Sequence, residues 1–352
     1  MLNSLRAVAR FIQKKIGWNR IGVLLSITII TVAVAVLIHM LREIDRNEVF
    51  RALRETSVTR ICASALFVAA GYFTLTFYDL FALRTLGAKK ISYRIAALAG
   101  FTSYSIGHNI GATVFTGGAV RYRIYSAHGL DAVAVAKICF LAGLTFWLGN
   151  VTVLGLGITV DPQAASAIDQ LPALPNRIIG IALLSILASY VAWVWSAPRE
   201  IGRGEWNVRL PSGPSTLLQI CIGILDLACC SLAMYVLRPG DPNLGFVTVA
   251  VVFVSATLLG FASHAPGGLG VFDAAMMVAL WQYDKESVLA GLLLFRVLYY
   301  LCPFAIALVI LGTREIWLNV HGARRRKAGL KAVTSVTAPI RSEIERKKTD
   351  AG

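Results

Sequence analysis

Of 352 residues, 57% are hydrophobic and only 15% charged, and the mean hydropathy is +0.67. Soluble domains use roughly 45–50% apolar residues, so one water-excluded core cannot absorb this chain, whereas a bilayer can. The formal charge of +15 would suit nucleic acid, but the basic residues collect between and beyond the apolar runs. The positive-inside bias and anionic headgroups account for them there, and nucleic acid is excluded as a partner.

Residues 1–20 form a basic segment carrying Arg6, Arg10, Lys14, Lys15 and Arg20. The first apolar block, 21–40, is followed by no small-residue cleavage site and reads as a retained anchor helix, not a removed signal. Residues 41–60 mix Arg42, Arg46, Arg51, Arg54 and Arg60 with four acids, and Ile44, Val49, Phe50 and Leu53 give an amphipathic helix lying in the interface. Further blocks at 61–83, 133–160, 178–197, 215–237, 244–262 and 287–312 bear comparison with the ~20 residues that a spanning helix needs. The chain divides into the basic head, a transmembrane domain over 21–313, and a basic tail over 314–352. All six cysteines fall inside apolar blocks at no metal-binding spacing, so they pack.

Orientation follows from Lys and Arg. Head and tail are basic, as are Arg84 to Arg94 and PREIGRGEWNVR at 198–209, while 161–176 holds no Lys or Arg at all. Both termini are therefore expected on the cytoplasmic side, with 161–176 outside. The amphipathic segment at 41–60 is the exception to this bias.

Two stretches do not fit simple spanning helices. GFTSYSIGHNIGATVFTGGAVRYRIYSAHG, 100–129, is rich in Gly, Ser and Thr, contains His108 and Asn109, and ends on Arg121 and Arg123. Crossing once would invert every later loop, so it reads as a re-entrant pair turning near Gly107 to Gly111. In ASHAPGGLGVFDAAM, 262–276, the chain breaks at His264, Pro266, Gly267, Gly268 and Gly270, and VFDAAMMVALW is then too short to cross. Broken helices at membrane depth are tolerated only where the bared backbone is buried in protein or lines a polar cavity. The expectation is an all-α polytopic membrane protein with six spanning helices and two opposed re-entrant helix pairs, an inverted repeat around a substrate cavity.

Charges inside apolar blocks point the same way. Asp226, Asp273 and Arg296 each cost roughly 2.5–3.5 kcal/mol at a helix centre on insertion scales, so they must pair or face water. Asp226 and Arg296 either form a structural ion pair or serve a substrate, and the two roles can coexist. Asp79 and Lys137 stand near block ends and are expected to snorkel. His108 and His264 either satisfy carbonyls freed by the breaks or relay protons. GGLG lacks the Lys of a phosphate-binding loop, and no metal, cofactor or catalytic constellation is indicated.

TGGAVRYRIYSAHGL (116–130), SHAPGGLGVFD (263–273) and LLLFRVLYYLCPFAIAL (292–308) together resemble the membrane domain of lysylphosphatidylglycerol synthases, the multiple peptide resistance factor family, and its stand-alone bacterial relatives. The resemblance spans roughly 20–315. It implies movement of a polar lipid between leaflets, an aminoacylated phospholipid or a hopanoid-type lipid, in the bacterial inner membrane. The soluble aminoacyl-transferring half is absent, so the chain is not expected to be an enzyme. Asp273 stands where the family pattern has Glu. On this reading Arg121, Arg123 and Arg296 meet anionic phosphate, since a guanidinium offers a bidentate fork. Asp226 and Asp273 balance or receive a cationic headgroup, and Gly267, Gly268 and Gly270 with Pro266 let backbone approach the lipid. The alternatives are a non-transporting subunit that positions a lipid-modifying enzyme, or a membrane-embedded lipid transferase.

Overall fold

The computed structural model describes residues 46–317 apart from 205, 241 and 264, with isolated positions between 28 and 42. Most of the predicted anchor at 21–40, His264 and the tail from 318 lie outside the described residues. Contacts divide the chain into two units, Met1–Leu308 and Val309–Gly352; the breaks, the cavity and the buried charges considered below all belong to the first.

The amphipathic segment contains α1, Arg46–Glu55, with Glu48 in its first turn and Arg54 in its last, complementing the helix dipole. Ala52 is buried while Phe50 and Leu53 are exposed. The helices α2 (Val58–Thr85), α5 (Ala132–Val160), α7 (Ala173–Ser196) and α8 (Gly213–Leu237) match apolar blocks, and α2 begins at a Ser57 side-chain cap. The last, α11, starts at Lys285 and contains a π segment over Arg296–Leu301. Counted to Trp317, it is the fifth helix among the described residues that is long and apolar enough to cross a membrane. The chain is thus a helical membrane protein.

Between these lie shorter elements: α3 (Tyr93–Ile110), α4 (Thr113–Tyr125), α6 (Pro162–Asp169), α9 (Phe246–Ala262) and α10 (Val271–Ala279). The predicted loop 161–176 is helical over α6 because Pro162 sits at its first position, where its missing N–H costs nothing. The all-α expectation is corrected at one place. PREIGRGEWNVR folds as a hairpin of β1 (Glu200–Arg203) and β2 (Trp206–Arg209), with Glu200 opposite Arg209 and Glu200 accepting from Asn207 Nδ2 at 2.7 Å. Opposite charges facing across a strand pair favour that register.

The core forms where α2 and α8 pack side by side, with α5 against α8 and α3 against α2. α5 and α8 cross with their backbones touching: a Cβ built on Gly149 would lie 2.7 Å from the Cα of Gly223. Such small-residue crossings let helices approach where lipid supplies no hydrophobic driving force. Inside, Phe253, Phe272, Phe295 and Tyr299 stack in a buried aromatic cluster.

Candidate functional site: a cavity between two chain breaks

The first break follows Ile110, at the end of the turn expected near Gly107 to Gly111. Gly111 has φ 82°, and Ala112 takes φ 45° and ψ 47°, left-handed for a residue with a Cβ, a conformation that costs energy and persists only when its surroundings enforce it. Threonines satisfy the bared backbone: Thr113 Oγ1 donates to the Gly107 carbonyl at 3.2 Å and Thr116 Oγ1 to the Gly111 carbonyl at 3.0 Å. α4 then packs back along α3.

At the second break Pro266 opens a single 3₁₀ turn, and Gly267, Gly268 and Gly270 have φ of 60°, 62° and 78°. Only glycine adopts this region without steric cost, which explains the sequence PGGLG. The turn closes on itself through Gly268 N–H to Ala265 and Leu269 N–H to Pro266. α10 begins when Asp273 accepts the Gly270 N–H at 3.2 Å.

The two breaks face one cavity of about 190 Å³. Its wall takes His108 and Gly111 to Phe115 from the first break, Gly260, Phe261, Ala265, Gly267, Gly268 and Phe272 from the second, and Asp226 from α8. Aromatic rings dominate the remainder, including Tyr104, Phe146, Tyr299 and Tyr300. Val114 and Phe115 are strongly exposed.

Three carboxylates surround this space, and their partners overturn two expectations. Arg296 does not pair with Asp226. Its Nε donates to Asp273 Oδ1 at 2.9 Å and its Nη2 to Asp273 Oδ2, bridging α10 and α11. Asp79 does not snorkel: it is fully buried and accepts from Arg121 Nη2 at 2.7 Å, from Arg121 Nε at 3.0 Å and from the Tyr125 hydroxyl at 2.7 Å. A buried charge must be paired in this way. Two of the three guanidinium forks expected to meet a phosphate, those of Arg121 and Arg296, are thus occupied by carboxylates. Arg121 also lies 4.8 Å over the ring of Tyr104, one layer behind the cavity wall.

Asp226 is held differently. Tyr78 donates to its Oδ2 at 3.0 Å, and on Oδ1 lie Thr74 Oγ1 at 3.3 Å and Cys230 Sγ at 3.8 Å. Hydroxyls and a thiol, not a cation, surround it.

Of the other predicted residues, His108 packs edge-on against Tyr104 and Phe261, while the Gly107 carbonyl is met by Gly111 and Thr113. Asn109 is fully buried and donates to the carbonyls of Ser105 and Tyr300. The second bond reaches the π segment, whose preceding carbonyl, Tyr299, accepts from the Tyr72 hydroxyl at 3.0 Å. A π segment leaves carbonyls to be met by side chains, and Asn109 and Tyr72 do so here. Arg123 is half-buried on α4 and outside the cavity wall, as are the exposed Pro266 and Gly270. Sequence reasoning missed Thr74, Tyr78, Asp79 and Cys230. The available signal was helical phase, since Tyr72, Leu75, Asp79 and Ala82 form one buried stripe.

Fold and site together define a polytopic helical membrane protein with a cavity between two broken helices. Known proteins place it further. The chain is 33% identical over 273 residues to the uncharacterized protein slr0712 of Synechocystis sp., covering 77% of this chain and 84% of that one. It is 28% identical over 299 residues to the inner membrane protein YbhN of Escherichia coli, covering 83% and 92%. With the phosphatidylglycerol lysyltransferase of Staphylococcus haemolyticus it shares 26% identity over 306 residues, 79% of this chain but 32% of that relative. No family model matches the chain. It belongs with slr0712 and YbhN to a family of stand-alone membrane proteins of the lysylphosphatidylglycerol-synthase membrane-domain type.

Proposed function

We propose that this chain is an inner-membrane lipid translocase, not an enzyme, and that it moves a polar lipid between leaflets through the cavity between its two breaks. One observation carries the reading: among the described residues, the cavity wall holds a carboxylate, Asp226, among aromatic rings and contains no Lys or Arg. Such a wall suits a headgroup bearing an amine, since a carboxylate and ring faces both attract a cation, and repels a bare phosphate. An aminoacylated phospholipid is the lipid class favoured; a hopanoid-type lipid fits if its polar end carries an amine.

Helix lengths support the path. α4 at 13 residues and α10 at nine are too short to cross alone, so α3–α4 and α9–α10 act as opposed re-entrant pairs dipping from the cytoplasmic and outer faces. Counting the anchor at 21–40, six helices then span and both termini are cytoplasmic. The name of YbhN supports the inner membrane, and that of the lysyltransferases supports a phospholipid cargo.

The test is leaflet exchange in proteoliposomes, with acyl-chain-labelled phosphatidylethanolamine and phosphatidylglycerol as probes. The reading predicts exchange well above that of protein-free vesicles, faster for the amine-bearing probe. Exchange at the protein-free rate for both would favour a non-transporting subunit that positions a lipid-modifying enzyme.

A further inference from the structure

Asp79 and Asp273 are each neutralised by an arginine, so the pairs Asp79–Arg121 and Asp273–Arg296 carry no net charge. Among the described residues Asp226 has no such partner, yet it is 4% exposed and lies on the cavity wall. Its hydrogen-bond neighbours suit two states of the carboxyl group. Thr74 has one hydroxyl hydrogen and two acceptors within reach, the Gly71 carbonyl at 2.6 Å and Asp226 Oδ1 at 3.3 Å. When that hydrogen points to Gly71, the Thr74 oxygen offers a lone pair to Oδ1, as a neutral acid O–H requires. When it turns to Oδ1, it serves a carboxylate. Cys230 repeats the arrangement, with its Sγ 3.8 Å from Oδ1 and 3.5 Å from the Tyr299 hydroxyl. Only Tyr78, on Oδ2, has a fixed role as donor. Both forms of Asp226 therefore find partners by rotation of two small groups, without movement of backbone.

We propose that Asp226 is a proton-coupling site, where one proton and the amine of a lipid headgroup compete for the same carboxylate. Either occupant neutralises the carboxylate, and the bare carboxylate is the costly state at this depth. On headgroup binding the proton leaves Oδ1 for the water of the cavity mouth; on headgroup release a proton returns. Lipid and proton then travel in opposite directions. The proton site stands on the hydrogen-bond geometry, while the coupling rests on the lipid-transport reading above.

The other titratable groups facing this point are Tyr72 and Tyr78 on α2, Tyr104 and His108 on α3, Cys229 and Cys230 on α8, and Tyr299 and Tyr300 on α11, with the Arg121–Asp79 pair behind Tyr104. None of the neutral ones yields a carboxylic-acid carbonyl band, and the bands of the chain's other carboxyl groups remain in Asp226→Asn, so the difference between the two proteins isolates Asp226.

Two measurements on the full chain test this. The first is infrared difference spectroscopy between acid and alkaline pH, in wild type, Asp226→Asn and Asp226→Glu, each checked by its melting temperature in detergent. A neutral-acid carbonyl band that titrates in wild type, disappears in Asp226→Asn and returns in Asp226→Glu supports the site. A wild-type spectrum without it, or a band unchanged in Asp226→Asn, overturns the site whether or not lipid moves. The second is leaflet distribution of acyl-chain-labelled phosphatidylethanolamine in proteoliposomes under a one-unit pH gradient. One-for-one exchange drives the probe toward the leaflet on the acidic side, by up to about tenfold, and Asp226→Asn abolishes that bias. If wild type moves lipid but shows no bias, the coupling is overturned and the transport reading survives. If the probe does not move in wild type, the transport reading and the coupling fall together, and the infrared band alone decides the proton site.

Discussion

Arg296 is paired with Asp273 across the gap between the last helix and the short helix that follows the glycine turn, and this pairing leaves Asp226 without a cation among the described residues. The second break is therefore tied to the π segment of α11 by charge. Among the described residues, Asp226 is the one carboxylate on the cavity wall.

The two ion pairs should differ in what their loss costs. Asp79 and Arg121 are 0% and 5% exposed, whereas Asp273 is 21% exposed. Arg121→Gln leaves a buried carboxylate uncompensated and is expected to cost about 3–5 kcal/mol, while Arg296→Gln costs less because Asp273 is not fully buried. Melting temperatures in detergent check this order. An Arg121→Gln protein as stable as wild type would contradict the buried pairing.

The crossing of α5 and α8 leaves no room for a side chain. Gly149→Val and Gly223→Val each place carbon against backbone about 2.7–2.8 Å away, which cannot be relieved by a rotamer change, and each is expected to abolish the folded monodisperse peak in size-exclusion chromatography. Gly143→Val, in open space on the same helix, should leave that peak intact.

Topology is tested by single cysteines in a background lacking the six native ones. Gln163 and Gly204 are both exposed. The re-entrant reading predicts that Gln163→Cys is labelled by a membrane-impermeant thiol reagent in spheroplasts and that Gly204→Cys is not. Labelling of Gly204→Cys with Gln163→Cys left unlabelled would show that 100–129 crosses the membrane once.

Much of this architecture was legible because apolar length and turn chemistry are local properties. The limits of α2, α5 and α8 follow the hydrophobic blocks within a few residues, and PGGLG announced a turn that requires positive φ. Partner choice is a tertiary property and was not legible. Asp226 and Arg296 are both deep in apolar helices, yet the bond formed is the one that α10 brings into reach. Asp79 read as a snorkelling acid since it stands near the end of its apolar block, but α4 folds back and delivers Arg121 onto it. The hairpin at 200–209 escaped notice because four-residue strands carry too little alternation to register against the surrounding charge.

The glycine turn gives a prediction that separates backbone geometry from fold. Gly268→Ala and Gly270→Ala each force a Cβ into a left-handed conformation, at roughly 1–2 kcal/mol per residue. Both variants should insert, melt at a lower temperature and move lipid more slowly. A melting temperature equal to that of wild type in both would show that the turn is not held in this conformation.

The central claim is that lipid passes through the cavity between the breaks, and filling that cavity tests it most directly. Thr257 lines it from α9 and is only partly buried, so Thr257→Trp can occupy the space with little strain on the helix. Leaflet exchange of labelled phosphatidylethanolamine should fall about tenfold or more, equivalent to some 1.4 kcal/mol on the barrier, while the melting temperature in detergent stays near that of wild type. A stable Thr257→Trp protein that exchanges lipid at the wild-type rate would contradict the account.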